Sequence, residues 1–397
     1  MIAGAGVGGL AAAVGLADAG FAVSVIERAP QVTEIGAGIQ LTPNATAALA
    51  RLGLLDRVAA VAVEPRAMVI RNGRSGHEIL RMPLGSTVAR RFGRPWLVVH
   101  RADLIAALAA AVAATPAIKI TLGTTVEAFA LNPEGVTVSL VTGRERREET
   151  AAALIGADGL WSMVRRGAGD ARAPVVSGRT AWRTTIPSES LPPELAGLDS
   201  GLWLGPDAHL VHYPIRRGSA CNIVAVVRDE TAVTIKPSEA GGSSWSGVGD
   251  PEVLIRRFER WAAPARALIE QPATWLTWRL ADRPPLTAWG RGAQTLLGDA
   301  AHPMLPFLAQ GAAMAIEDAV VLTQAMAAQP GNLPAALRAY EAIRRPRTAR
   351  VQKEARINSL AYHLAGPAAL ARDVVLQTRG PAGLLSRYRW LYGWRPD

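Results

Sequence analysis

The sequence predicts an α/β protein: a domain built on βαβ units, interrupted by a β-rich domain and closed by C-terminal helices. Three observations carry this reading. The chain opens on a short apolar run, the glycine-rich turn "GAGVGG" and the helix-like "LAAAVGLADAG". Residues 175–230 alternate as strands around Trp, Tyr and Pro with little helical periodicity. Residues 331–397 return to an Arg-rich helical pattern.

Taken in order, the first unit reads as a strand over 1–3, a helix over 8–19 ending at Gly20, and a strand "FAVSVIE" ending at Glu27. In "GAGIQLTPNATAALARLGL", Thr42 as N-cap, Pro43 at the first helical position and Gly53 as terminator predict a helix over 43–52. Two β-like runs within 66–82 flank "RNGRSG", a hairpin signal, and "HRADLIAALAAAVAATP" sets Leu104, Leu108 and Val112 on one helical face. Strands are expected at 117–121, 124–131 and 135–141, and a buried one in "AALIGADG" (152–159). After the β-rich stretch, "GVGDPEVLIRRFERWAAPARALIE" is helical, "QTLLGDA" is a last buried strand, and a helix covers 311–327. "EAGGSSWSGVGD" reads as a surface loop. The implied domains are 1–70, 96–174 and 281–330 for the dinucleotide unit, 71–95 and 175–280 for the β-rich unit, and 331–397 for the C-terminal helices.

Composition narrows the class. With 397 residues, 49% hydrophobic and 19% charged, the chain can bury large cores without staples, and a single cysteine, Cys221, allows no internal disulfide. The run "LIAALAAAVAA" falls short of the ~20 apolar residues a membrane span needs, and no signal-peptide pattern precedes the glycines, so a cytoplasmic protein is expected. The net charge of +10 is concentrated in 331–397, which hold eleven Arg and one Lys against four acidic residues. A solvated helical face or a subunit contact, in a monomer or homodimer, is expected there rather than nucleic acid.

Gly4, Gly6 and Gly9 match G-x-G-x-x-G between a strand and a helix, the arrangement that lets a pyrophosphate approach the positive end of that helix. Glu27, 23 residues after Gly4, suits ribose hydroxyls and would repel a 2′-phosphate, which favours FAD or NAD over NADP. Downstream, "TLLGDAAHPMLPFLAQGAAMAIEDAVVL" carries Asp299 on a loop, where it can hold sugar-chain hydroxyls. Gly311 and Ala312 open a helix whose N-terminus would stabilise the negative charge of a reduced flavin. Glu317 and Asp318, in mid-helix with no partner visible in sequence, are assigned no chemistry.

These three motifs in order, "GAGVGG", "GADGLWSMVR" and "GDAAHPMLPFLAQGAAMAIEDA", resemble those of single-component FAD-dependent aromatic hydroxylases, the salicylate and 3-hydroxybenzoate hydroxylase group, over nearly the whole chain. The resemblance implies a Rossmann-like FAD-binding domain with NADH or NADPH as co-substrate and no separate nicotinamide fold. It implies that Gly4, Gly6, Gly8, Gly9, Glu27 and Arg28 hold the ADP half, that Arg101 contacts FAD and Val126 lies near the adenine. By the same resemblance Asp158 serves FAD and the transient nicotinamide, Asp299 the ribityl chain, and Gln40, Pro303, Gly311 and Ala312 complete the flavin site. The implied chemistry is reduction of FAD, addition of O2 at flavin C4a, and transfer of oxygen from the hydroperoxide to a small phenolic aromatic acid.

In "GPDAHLVHYPI" strand alternation puts His209 and Tyr213 on one face and His212 on the other. The resembled hydroxylases carry such a His-x-x-x-Tyr pair facing the substrate, where either group can accept a phenol's proton and enrich the ring carbons. Gln40 stands where a nicotinate hydroxylase has His, which favours a benzoate. Leu305 and Phe307 are expected to form an apolar wall, Arg179 or Arg183 to meet a substrate carboxylate, and Trp182 and Trp203 to be core. The readings left open are an epoxidase or hydroxynicotinate hydroxylase of the same fold, an NAD-dependent dehydrogenase, and a non-catalytic redox sensor, for which no helix-turn-helix is visible.

Overall fold

The computed structural model describes residues 1–32, 38–229 and 246–396. The opening strand Ile2–Ala3 is short because Gly4, at φ 108°, turns the chain at once into the helix Val7–Asp18. Among the described residues a five-stranded parallel sheet runs Gln294–Leu296, Leu154–Gly156, Ile2–Ala3, Val23–Ile26, Ile118–Thr121. The chain lays strands on both sides of Ile2–Ala3, so the carboxyl end of this central strand is the crevice where doubly wound sheets bind ligands. The helices Val7–Asp18 and Gly311–Ala328 pack on each other beneath it. Gly15 permits the approach, since a Cβ there would collide with the Thr323 side chain.

The second half is built on a mixed sheet, eight-stranded among the described residues. Its order is Ser246–Gly249, Trp275–Asp282, Val175–Pro187, Ala220–Arg228, Ala208–Ile215, Ser200–Gly205, Ala67–Asn72, Glu78–Pro83. One face of this sheet covers a core of Trp182, Trp203, Trp261 and Trp275, as expected for Trp182 and Trp203. The other turns toward the parallel sheet. The strand Ala67–Asn72 runs across residue 70, where the sequence placed the first domain's end, and Val88 and Phe92 of the helix Gly85–Phe92 pack into the parallel-sheet core.

Several expectations are corrected in detail. The helix expected over 43–52 is Pro43–Arg51, and the Thr42 hydroxyl bonds the Asn44 side chain (2.6 Å) instead of capping a backbone N–H. Of the loop expected over 239–250, residues 239–245 lie outside the described residues, whereas Ser246–Gly249 pairs as an edge strand with Trp275–Asp282. The helical stretch that follows is two helices, Pro251–Phe258 and Ala263–Glu270.

The C-terminal helices Leu333–Tyr362 and Gly366–Arg387 are also more than a solvated basic face. Arg344 is fully buried and bonds Glu317 and Asp318, both at 2.6 Å. Arg347 bonds Glu317 at 2.6 and 2.8 Å. Asp318 also accepts from the Gly298 N–H (3.0 Å) and His302 Nε2 (2.5 Å), while Asn44 donates to Glu317 (2.7 Å). The two acids without a visible partner are therefore the centre of a buried ion cluster. Burial alone would raise the Asp318 carboxyl, but His302 and Arg344 hold it down at about 2.

Removing one member of such a buried set leaves an uncompensated charge, so Arg344→Met is expected to cost about 3–5 kcal/mol in urea unfolding. Because the Asp318 carboxyl falls below its unfolded value of 3.8, its stabilisation is present above that pH and is lost as pH drops toward 2. Fluorescence-monitored acid unfolding checks this: Asp318→Asn should flatten the wild type's steep loss of stability in that window.

Candidate active site

A cavity of about 880 Å³ lies between the two sheets. Its lower wall is made by the residues just past the carboxyl ends of the parallel strands: Gly4 to Gly8, Glu27 and Arg28, Ala157 to Gly159, and Leu297 to Asp299. Its upper wall is the β sheet, with Arg183, His209, Val211, Tyr213, Val224 and Val226. The strand Gly38–Leu41 and the segment Ala309 to Ala312 close the sides.

The lower wall is shaped for an extended dinucleotide. Gly9 does not reach the cavity; a Cβ there would strike the Gly4 carbonyl oxygen, so its role is to seat the first helix against the first strand. Gly6 has the opposite role. It is the N-cap of the helix Val7–Asp18, has no side-chain cap, and would present a Cβ to open space with nothing within 4 Å, the clearance a diphosphate requires. Glu27 accepts from Ala5 N (2.7 Å) and Ala29 N (2.8 Å), one bond on each oxygen, which ties the glycine turn to the second strand and leaves further lone pairs for ribose hydroxyls.

Farther along, Asp299 stands exposed to the cavity with its pKa raised by burial within the protein and countered by His302 and Arg101. Arg101, at the start of the helix Arg101–Ala113, is itself lowered by burial and supported by Asp299. The helix Gly311–Ala328 aims its N-terminus at the same space without a side-chain cap. Its N-cap Gln310 is locked, accepting from Asn44 (3.0 Å) and donating to the Thr42 hydroxyl (2.9 Å). An anion-seeking helix end, a carboxylate suited to hydroxyls and an open glycine turn in one cleft match the donor and acceptor pattern of FAD.

Of the residues expected at this site, Gly4, Gly6, Gly8, Glu27, Arg28, Gln40, Arg101, Val126, Asp158, Asp299, Gly311, Ala312, His209 and Tyr213 line the cavity. Gly9 and Pro303 do not; the Pro303 carbonyl accepts from Gln352 (2.8 Å), which pins the loop from behind. Asp158 lines the wall, but its carboxylate is occupied by the start of the helix Met163–Gly167, accepting from Ser162 Oγ (2.5 Å), Met163 N (2.7 Å) and Val164 N (3.1 Å). Leu305 and Phe307 sit behind the wall in a cluster with Ala181 and Val226, and Met304 and Pro306 take the expected apolar place. Arg179, four residues along the same strand face, lies off the cavity and donates to the Asp207 carbonyl (3.3 Å), so of the two expected arginines Arg183 alone lines it.

On the upper wall, register explains the grouping. Arg183 pairs with Val224, which pairs with Val211, so the three form one row across the sheet. His209 and Tyr213 flank Val211 on the same face, and His212 turns to the far side, where Trp203 Nε1 bonds it (3.2 Å). Tyr213 is packed under Gly38, where a Cβ would strike its ring, and Gly38 N donates to Asn222 Oδ1 (2.6 Å) in the strand beside Tyr213. Burial pushes the Tyr213 phenol up and the Arg183 charge pulls it back. Trp161, Arg166 and Gln310 also line the cavity; sequence reading passed over them although Trp161 stands inside the quoted motif "GADGLWSMVR".

Fold and cavity together define a flavin-dependent oxidoreductase. The chain belongs to the FAD binding domain family, which matches residues 1–355. It is 39% identical over 400 residues to 3-hydroxybenzoate 6-hydroxylase 1 of Aquipseudomonas alcaligenes, covering 99% of this chain and 97% of that one. It is 37% identical over 395 residues to the 3-hydroxybenzoate 6-hydroxylase of Polaromonas naphthalenivorans strain CJ2, covering 99% and 95%. Among solved structures, a salicylate hydroxylase substrate complex superposes with a TM-score of 0.82 at 27% identity, covering 99% of this chain and 94% of that one. Among the described residues no helix is long and apolar enough to cross a membrane, and none of the His, Cys, Asp and Glu clusters there is fit to hold a metal ion.

The two glycines separate folding from cofactor binding. Gly6→Ala should leave the melting temperature of the apoprotein unchanged and weaken FAD binding by about tenfold or more, since its methyl enters the diphosphate's space. Gly9→Ala should lower the melting temperature as well, read by thermal unfolding beside flavin absorbance.

Proposed function

We propose that this protein is an FAD-dependent monooxygenase that hydroxylates the ring of a small hydroxybenzoate, with NAD(P)H and O2 as co-substrates. The observation that carries the reading is the upper wall. One sheet face sets a cation, Arg183, across an apolar floor of Val211 and Val224 from a His209 and Tyr213 pair, all opposite the segment that receives the flavin. Bound FAD supplies electron transfer from the nicotinamide and activation of oxygen. The chain supplies the rest.

Gly4 to Gly8 and Glu27 hold the diphosphate and ribose, Asp299 the sugar chain, and the N-terminus of the helix Gly311–Ala328 the electron-rich edge of the ring system. Arg183 takes the substrate carboxylate. Its Nε is buried and has no hydrogen-bond partner among the described residues, and its guanidinium lies 5.2 Å from the Trp278 ring centroid. A carboxylate would satisfy that donor and the charge together. His209 accepts the phenol's hydrogen bond and raises electron density in the ring, while Tyr213, kept neutral by burial, orients the same edge. Val211, Val224, Val226, Met304 and Pro306 exclude water from the reacting carbon.

The test is NADH and NADPH oxidation by the purified yellow protein with and without 3-hydroxybenzoate, salicylate and hydroxynicotinates, with product identification. Stimulation by a hydroxybenzoate with a hydroxylated product is expected; indifference to every hydroxybenzoate overturns the reading. Arg183→Met should raise KM for the hydroxybenzoate about 10- to 100-fold, the worth of a charge-assisted hydrogen bond, and leave turnover of 3-methylphenol, which lacks the carboxylate, at the wild-type level. His209→Ala should retain FAD and divert reducing equivalents to hydrogen peroxide, read as a fall in product formed per NAD(P)H consumed.

A further inference from the structure

His209 lies on the cavity-wall strand Ala208–Ile215, but its ring does not act alone. His209 Nδ1 is 2.9 Å from Nε2 of His363, the C-cap residue of the helix Leu333–Tyr362. His363 Nδ1 in turn is 2.5 Å from the carbonyl oxygen of Ser359. The His363 backbone N–H bonds Leu360 (3.2 Å), one residue short of the regular helical partner, so the ring supplies the hydrogen bond that the Ser359 carbonyl receives from this residue. Both rings are buried; Phe307 and Tyr362 pack on His209 at centroid distances of 5.4 Å, and Phe307 on His363 at 5.7 Å.

The protons of this array follow by elimination. A carbonyl oxygen only accepts, so the His363 nitrogen facing Ser359 carries a hydrogen. Burial lowers His363 to about 4 and His209 well below its usual value, so at neutral pH each ring has one N–H. The proton of His363 is spent on Ser359, and its other nitrogen offers a lone pair to His209. The contact between the rings is then a hydrogen bond only if His209 Nδ1 is the donor. That leaves His209 Nε2 as a bare lone pair, with no hydrogen-bond partner among the described residues, on a ring that lines the cavity.

We propose that His363 is a positioning residue that, with the Ser359 carbonyl, holds His209 in the Nδ1–H tautomer and so presents Nε2 as the acceptor for the substrate's phenolic O–H. The inference deepens the hydroxylase reading and rests on it for the identity of the donor. When the phenol O–H bond breaks, the electron pair stays on the phenolate oxygen and the proton forms the Nε2–H bond. The resulting cation strengthens the Nδ1–H bond to His363. The array ends at a carbonyl that accepts no proton, so it polarises His209 and conducts nothing outward. Specificity follows as well: a tautomer with Nε2–H would donate to the ligand and favour an anion or a ring nitrogen instead.

The experiment has a direct readout that needs no substrate. The holoenzyme is labelled with 15N histidine, long-range proton–nitrogen correlation spectra are recorded, and the His209 signals, among six histidines, are assigned by their loss in His209→Asn. Protonated Nδ1 and unprotonated Nε2 at His209 in the wild type, lost or mixed with the Nε2–H form in His363→Phe, is the expected result. An Nε2–H tautomer in the wild type, or an unchanged Nδ1–H tautomer in His363→Phe, overturns the proposal. In turnover, His363→Phe should keep its FAD absorbance and lower kcat for the hydroxybenzoate about tenfold or more with KM nearly unchanged. His363→Gln, whose carbonyl can accept from His209 Nδ1, should restore most of kcat. Equal loss in both variants overturns the proposal, since a merely structural role would not distinguish them. If the wild type hydroxylates no hydroxybenzoate and still shows the His363-dependent tautomer, the array stands and the hydroxylase reading alone falls.

Discussion

The structure depends on the ion cluster of Glu317 and Asp318 with Arg344 and Arg347. Four charges lie out of water at the interface of the first helix after the glycine turn's partner strand, the helix Gly311–Ala328 and the C-terminal helix Leu333–Tyr362. Desolvating each ion costs several kcal/mol, which attraction offsets only where lone pairs and donors are met. Here every carboxylate oxygen is bonded: Glu317 by Arg344, Arg347 and Asn44, Asp318 by Arg344, the Gly298 N–H and His302. The cluster sits one to two turns inside the helix whose N-terminus faces the cavity. It therefore fixes that helix end, the Gly298 to His302 turn carrying Asp299, and, through Asn44 and Gln310, the side wall, all from one buried point.

Above this anchor the two halves divide the chemistry by the geometry of their sheets. A parallel sheet ends all its strands on one edge, so turns from distant parts of the chain converge there as backbone N–H groups, glycines and carboxylates, which suits a long cofactor with a charged middle. The antiparallel strands of the mixed sheet offer a face, and alternation lets polar groups be set singly in an apolar field, as Arg183, His209 and Tyr213 are set around Val211 and Val224. The C-terminal helices join the two tasks. Arg344 and Arg347 brace the cofactor side, and His363, at the far end of the same helix, reaches the substrate side.

Much of this was readable in the residues. G-x-G-x-x-G, the acid after the second strand, and the 298–312 segment depend on local spacing, and local spacing survives any tertiary arrangement. The facing of His209 and Tyr213 away from His212 follows from the two-residue period of a strand in the same way. The expectations that failed depend on contacts between remote segments. Leu305 and Phe307 were expected at the wall because they neighbour the flavin segment, yet the loop's short helical turn Pro306–Leu308 sends Phe307 backward against His209. Arg179 and Arg183 lie four residues apart on the same face of one strand, and only the extent of the cavity between the two sheets decides which one lines it. Glu317 and Asp318 showed no partner because their arginines are 26 to 30 residues away on another helix.

The amino-acid sequence by itself determined the order of elements, the glycine turn, the class of cofactor and the shared face of the His209 and Tyr213 pair, because each rests on backbone preferences and periodicities that act over a few residues. Only the tertiary structure decided which arginine meets the cavity, that the basic C-terminal segment is half a buried ion cluster, and which nitrogen of His209 carries the proton. Those outcomes are set by distances between groups far apart in the chain, such as the 154 residues from His209 to His363, and hydrogen bonds at such separations exist only once the two sheets and the last helices have closed on one another.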